Sequence, residues 1–390
     1  MSAAPGSGLP TETQPAHLRA EHSLVLGDGH GYCAHPHLVR CGDELVVVCN
    51  WVPRRRFVLH PPEDPLYLNL ILRSADDGRN WSAPVVAPAY GWNGVECAGL
   101  TNLGGGHLLL NQWRFGWLTL DSARARPEQE GIAYPQRLLA AHLASAEHEP
   151  AGVTVADAER LMPWARAGGA AWVHRSTDGG RTWAASVAVD TAPYIGGYGI
   201  RGGVVLPDGT IVLPLSDVPA YRRVFVLRSS DGGVTWSRAI GVADQPDRRF
   251  EEPAPLLLPS GRILLLLREN ESRSLWRSWS DDGGLSWAKP QPTGIDGYPA
   301  HLCALPDGRL LCTYGYRRPP YAIRGAVSAD GGASWTSEAP LELRSGLPGR
   351  DLGYPCTLPT EAGMVTVYYA RDAADRTCIF ASHWQLPCQA

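Results

Sequence analysis

SADDGRNW (74–81), STDGGRTW (176–183), SSDGGVTW (229–236), SDDGGLSW (280–287) and SADGGASW (328–335) are five copies of one octapeptide turn. Each reads as a hairpin connection. Asp and Ser bond nearby backbone, Gly supplies a positive φ, and the closing Trp returns to an apolar contact. From the second copy on, the Trp residues fall 53, 51 and 48 positions apart. A period of about 50 built from short strands is that of a radial repeat. It predicts an all-β chain folded as a β-propeller.

A second repeat gives the number of blades. It is an apolar strand, a Gly turn and another apolar strand. The copies are HLVRCGDELVVVCN (37–50), GLTNLGGGHLLLNQW (99–113), GVVLPDGTIVLPLSD (203–217), APLLLPSGRILLLLRE (254–269), AHLCALPDGRLLCTYG (300–315) and CTLPTEAGMVTVYYA (356–370). Six hairpins predict six four-stranded antiparallel blades. Near-continuous apolar runs suit inner strands buried on both faces. The octapeptide then joins the outer strands of blades one to five. Blade six lacks it, and the segment around HSLVLGDGH (22–30) is expected to add the strand that closes the ring.

Bulk properties agree. Length alone suggests two or three domains, but one closed propeller uses the whole chain. The 390 residues hold 43 Gly and 33 Pro with 19% charged residues, as a turn-rich all-β protein should. A net charge of −4 speaks against a nucleic-acid partner. No apolar run is long enough to cross a bilayer. Residues 1–21 are polar and Pro-rich and read as a disordered tail, leaving 22–390 for the propeller. They lack the apolar core of a signal peptide, so a cytoplasmic location is expected. The nine cysteines show no CxxC pattern and read as reduced, buried thiols. Cys41 with Cys49, and Cys303 with Cys312, lie on facing arms of hairpins. No cofactor is expected, and the oligomeric state is not legible.

The distance from turn Gly to octapeptide Trp locates insertions. It is 27, 26 and 27 residues in blades three to five, but 39 in blade one and 77 in blade two. The larger excess, at 115–171, is expected to form a rim or lid, with a helix-prone stretch RLLAAHLASAEHE (137–149). It leaves the sheet on the face opposite the Gly turns. On that same face, entries to inner strands and exits of second strands surround the axis. Entries are His35 and His37, Glu96, Arg201, Glu251 and Glu252, His301, and Tyr354. Exits are Asn50, Trp113 with Arg114, Asp217, Arg268, Arg317 with Arg318, and Arg371. Titratable groups flanked by apolar sequence imply a ligand or mutual pairing. Several arginines around one axis point to a carboxylate. Trp92, Trp113 and Trp117 lie near that face and suit either sugar stacking or core packing. His35 and His37 alternate on one strand, so a shared metal needs a distorted strand and a third ligand such as Glu96 or His301.

The octapeptide is the Asp box, S-x-D-x-G-x-[ST]-W, and the chain resembles the sialidase (neuraminidase) superfamily of six-bladed propellers. Such enzymes carry a Glu about sixteen residues before an Arg on one hairpin, matched here by Glu252 and Arg268 in EEPAPLLLPSGRILLLLR. They carry an Arg before the strand leading into a late Asp box, matched by Arg318 with Arg317 adjacent, in YGYRRPPYAIRGAVSADGGASW. A Tyr enters the last blade in a Gly-Tyr setting, matched by Tyr354 in DLGYPCTL. The resemblance implies Tyr354 as nucleophile, Glu252 as its base, and Arg268 with Arg318 holding a sugar carboxylate. A phenol suits that role because a carboxylate nucleophile would be repelled by the sugar's own carboxylate.

Two family features are missing. The Arg-Ile-Pro opening of blade one is Ala34-His35-Pro36-His37 here. The acid/base Asp that follows is absent from Asn50-Trp51-Val52-Pro53-Arg54, with Asp64 the nearest acid. Arg54, Arg55 or Arg56 are expected to restore the missing charge, and His35, His37 or His301 to take the acid/base role. The leading expectation is an exo-acting glycoside hydrolase for an acidic mono- or oligosaccharide, with Arg201, Glu96, His37 and Arg54 completing the substrate site. The alternatives are a uronate-glycan lyase on the same propeller and a non-catalytic glycan-binding propeller.

Overall fold

The computed structural model describes residues 16–27, 29, 31–53, 64–126, 132–144, 153–218 and 220–387. Six antiparallel sheets form six blades around one axis. Blade one is built from Gly31–Cys41, Glu44–Pro53, Leu68–Ser74 and Val85–Val86, and blade two from Asn93–Gly104, His107–Thr119, Trp164–Ser176 and Val187–Ala188. In blade three a split inner strand, Gly196–Tyr198 and Val204–Val205, precedes Ile211–Asp217, Val224–Ser229 and Ile240–Ala243. Blade four runs Phe250–Leu257, Ile263–Glu269, Ser274–Ser280, Gln291–Pro292. Blade five runs Ala300–Ala304, Leu310–Tyr316, Ala322–Ser328, Leu341–Arg344. Blade six takes Gly353–Thr360, Gly363–Arg371 and Thr377–Trp384, and its outer strand is Ala20–Leu26 from the other end of the chain. The expected ring closure is therefore present. Strand begins upstream of residue 22, however, and Ala16–His17 also pairs with the outer edge of blade five.

The second strands are largely apolar because both faces are covered. Ile263 through Leu267 are buried, and blade-two residues Leu109 and Val173 pack against Leu213 and Phe225 of blade three. Each octapeptide is a self-contained hydrogen-bond cage. Ser229 Oγ donates to Asp231 Oδ1 at 2.8 Å and accepts the Gly233 N–H at 2.8 Å. Asp231 accepts the N–H groups of Val234 and Thr235 and the Thr235 hydroxyl. The same pattern recurs around Ser74, Ser176, Ser280 and Ser328. Gly332 shows why the last turn glycine is required. Its φ is +88°, and a Cβ would come within 2.6 Å of Leu264 in the neighbouring blade.

The blade-two excess is an extended hairpin. Residues 115–119 and 164–171 continue the second and third strands, and Ala133 bridges back to Arg166. The tip carries helices Leu120–Arg124, Pro135–Ala144 and Ala158–Leu161. Leu138, Leu139, Ala158 and Met162 form its small core, and Trp164 packs against it. Trp113 and Trp117 are buried with Phe115 between their rings, whereas Trp92 is exposed. The eight described cysteines are buried and form no disulfide among the described residues.

Candidate active site

Four inner strands break register at equivalent places. The breaks fall between Ala34 and His37, Glu96 and Ala98, Glu251 and Ala254, and Gly353 and Cys356. At each break one residue has a left-handed backbone: His35 (φ 51°), Cys97 (φ 44°), Glu252 (φ 52°) and Tyr354 (φ 49°). Non-glycine residues in that region cost about 1–3 kcal/mol each, and such strain concentrates at functional sites. Three of the four precede a proline, which has no N–H to lose from the ladder. These bulges re-aim the side chains toward the axis.

There the chemistry assembles. The Tyr354 hydroxyl donates to Glu252 Oε1, and both side chains are buried. Arg268 Nη1 donates to Glu252 Oε2 at 3.1 Å, and its Nε lies 3.4 Å from Glu251. Arg317 donates from Nε to the Leu352 carbonyl at 2.9 Å and from Nη2 to the Tyr369 hydroxyl at 3.2 Å. The guanidinium groups of Arg268 and Arg317 lie 4.1 and 5.4 Å from the centre of the Tyr298 ring. Burial first, then the Glu252 charge, pushes the Tyr354 phenol well above its ordinary range, and Arg317 and Arg268 pull against that. The phenol therefore rests protonated, with its O–H directed at a carboxylate.

His35 packs on this pair, its ring centroid 4.1 Å from that of Tyr354. Asn50 Nδ2 donates to His35 Nδ1 at 2.7 Å, so the neutral ring carries its proton on Nε2. A buried amide chain holds Asn50 in turn. Asn69 donates to Asn50 Oδ1 at 2.8 Å and Gln112 donates to Asn69 Oδ1 at 2.8 Å. Glu96 is buried beside Cys97, whose thiol lies 2.9 Å from the Tyr198 hydroxyl and 3.2 Å from His35 Nδ1. Burial, then the Glu96 charge, raises the Cys97 thiol well above its usual range, so it stays protonated. His35, Glu96 and Cys97 offer ligand atoms within 4.8 Å of one another, the set a metal would use here.

Several residues lie elsewhere than expected. Arg318 faces outward and pairs with Asp296, so Arg317 is the arginine brought to Tyr354. Arg201 is fully buried and donates to the carbonyls of Pro36, Ala300 and Pro355, which makes it an axial staple rather than a substrate clamp. His37 and His301 lie beyond that staple, in a separate cavity with each other. Asp64 caps a turn through the Leu66 N–H. Arg54, Arg55 and Arg56 lie outside the described residues.

The geometry has counterparts. The BNR repeat-like domain pattern matches residues 157–367, more than half of the chain. The chain belongs to the BNR repeat-like family. It is a propeller of the sialidase-like superfamily. A sialidase from Bacteroides fragilis (strain YCH46) is 23% identical over 224 residues, which cover 52% of this chain and 40% of that relative. The chain thus spans less than half the length of that curated relative. Among solved structures, a protein of unknown function from Dyadobacter fermentans DSM 18053 superposes with a TM-score of 0.72 at 22% identity, covering 94% of this chain and 98% of that one. The intramolecular trans-sialidase from Ruminococcus gnavus, solved with oseltamivir carboxylate, gives 0.65 at 14% identity, covering 93% and 97%. At these identities the structural likeness speaks for the fold alone.

Within this BNR-repeat propeller, sequence reasoning passed over Cys97, Tyr198, Tyr298 and Arg166. Arg166 comes from the blade-two extension and lies over Trp113 and Phe115, 5.5 and 5.3 Å from their ring centres. Cys97 was legible in principle, since it holds the place in blade two that His35, Glu252 and Tyr354 hold in theirs.

Proposed function

We propose that this protein is a sialidase-type glycoside hydrolase acting on a carboxylate-bearing sugar. The observation that carries the reading is the Tyr354 hydroxyl donating to Glu252, with Arg268 on the other oxygen of that carboxylate. Tyr354 Oη attacks the anomeric carbon while its proton passes to Glu252, and the aglycone oxygen leaves. Water then attacks the anomeric carbon and the bond to Tyr354 Oη breaks; Glu252 returns its proton to the phenolate, and the water's proton goes to solvent. Arg268 and Arg317 supply positive charge to the sugar carboxylate. Of the three histidines considered, only His35 packs on Tyr354; its ring is neutral, so its Nε2–H is assigned to hydrogen-bond the departing oxygen, which takes its proton from solvent.

The test follows aglycone release from an aryl sialoside together with ultraviolet absorbance on a uronate oligosaccharide pool. Release by the wild type, lost in Tyr354→Phe, supports the hydrolase. Absorbance from an unsaturated product without aglycone release would move the chemistry to elimination. The role of His35 has its own signature. His35→Gln should slow a natural alkyl-linked sialoside more than a nitrophenyl one, whose leaving group needs little stabilisation by a hydrogen bond.

A further inference from the structure

The axis carries a second cluster, across Arg201 from Tyr354. His37 and His301 stand there with ring centroids 6.3 Å apart. The Leu100 N–H donates to His37 Nδ1 at 2.9 Å, and the Thr357 N–H donates to His301 Nδ1 at 3.2 Å. A main-chain amide only donates, so each Nδ1 is an acceptor and each neutral ring holds its proton on Nε2. Among the described residues neither Nε2 has a hydrogen-bond partner. Both rings line a cavity of about 420 Å³ that runs past Asn102 and Arg40 toward the Gly turns, away from Tyr354. His37 is only 6% exposed. Two N–H donors that face a cavity with no protein acceptor suit an occupant that carries acceptors.

The charge at the cavity floor gives the sign of that occupant. Arg201 lines the same cavity, is fully buried, and is bonded only to the neutral carbonyls of Pro36, Ala300 and Pro355. Among the described residues no carboxylate pairs with it. The inner strands close tightly around it, since a Cβ on Gly99 would lie 2.1 Å from the Arg201 carbonyl oxygen. Glu252 acts on it only from a distance, and a buried cation with no carboxylate in contact favours an anion nearby.

A metal fits poorly, although His37, His301 and Cys356 offer ligand atoms within 4.8 Å of one another. A metal-bound histidine needs its other ring nitrogen to donate, and here each Nδ1 faces an N–H. The Cys356 thiol is also engaged, accepting from the Leu38 N–H and donating to the Leu38 carbonyl, both at 3.3 Å.

We propose that this axial cavity is a binding site for a small anion, held by the Nε2–H groups of His37 and His301 in the field of Arg201. Halide, carboxylate and phosphate share the required chemistry. The site stands on its own geometry and does not depend on the hydrolase reading.

The test uses the full chain with ¹⁵N-labelled histidine, titrated separately with bromide, acetate and inorganic phosphate. Saturable shifts of both Nε2–H signals with at least one probe are expected, and the probe that acts identifies the class. His301→Leu should weaken binding by about tenfold or more. Bromide-soaked wild-type crystals supply a readout that does not depend on a variant, with an anomalous peak expected between the two rings. Absence of both shift and peak overturns the proposal. So does undiminished binding in a folded His301→Leu, or a response to Zn²⁺ with none to the anions.

Discussion

At Tyr354 a phenol, a carboxylate and two guanidinium groups share one buried volume, and each constrains the next. The phenol is held protonated by burial and by Glu252, so attack depends on Glu252 receiving the proton. Glu252→Gln should therefore lower turnover by about 10²–10⁴-fold with the fold intact, checked by single-turnover kinetics beside circular dichroism. The axial histidines act on stability. Burial, then Arg201, holds His37 and His301 well below the ordinary 6.5. The unfolded chain then takes up protons that the native state refuses. Stability is full above about pH 6.5 and falls as pH drops below it. Urea midpoints measured at descending pH should show this loss, and His301→Leu should flatten it. Tyr354, Glu252 and Arg268 were legible because the hairpin repeat places them at strand entries and exits, and the sialidase resemblance singles out a Glu sixteen residues before an Arg and a Tyr after Gly. Arg317 and Arg318 were not distinguishable, since neighbouring residues point opposite ways and parity is lost past the strand end at Tyr316. Arg201 misled because a lone guanidinium near an axis suits a ligand or a backbone staple equally well in sequence.

Turns and bulges do the corresponding work at the scale of elements. The octapeptides were fully readable, because each is a local cage of Ser, Asp and Gly. Their acids are strong: hydrogen bonds from Asn80 hold Asp76 at about 2, and Asp330 lies at about 2 as well, with bonds from Ser334 and Ser328 outweighing its burial. Depressed folded values stabilise above the ordinary 3.8 and are lost as pH falls toward 2. Acid titration of unfolding should therefore steepen below about pH 4, and Asp330→Asn should remove part of that slope. Gly331 and Gly332 give a matched comparison. Both have positive φ, but only at Gly332 does a Cβ strike the next blade. Gly331→Ala should cost about 1–2 kcal/mol from the backbone alone, and Gly332→Ala clearly more, read by thermal unfolding. The bulges were not legible. A break in register is set by pairing across strands, and the inner strand's own sequence records it only through the following proline. The blade-two extension was placed by residue counting, yet its strands run further than expected, because composition alone does not say where a long hairpin stops pairing.

The whole molecule is a ring closed by non-covalent pairing between its two ends. Ala20–Leu26 lies antiparallel to Thr377–Trp384, with Ala20 opposite Trp384 and His22 opposite Ser382. Removing residues 1–27 should leave blade six with three strands and an open edge. A lower melting temperature and concentration-dependent aggregation are expected, with scattering during thermal unfolding as the check. The closed ring is what brings Tyr354 of blade six to Glu252 of blade four, and the functional reading rests on that meeting. The most direct test is mass spectrometry after exposure to 2,3-difluorosialic acid. The account predicts a covalent sugar adduct on the peptide containing Tyr354, absent in Tyr354→Phe. Turnover of an aryl sialoside with no adduct at Tyr354, undiminished in Tyr354→Phe, would contradict it.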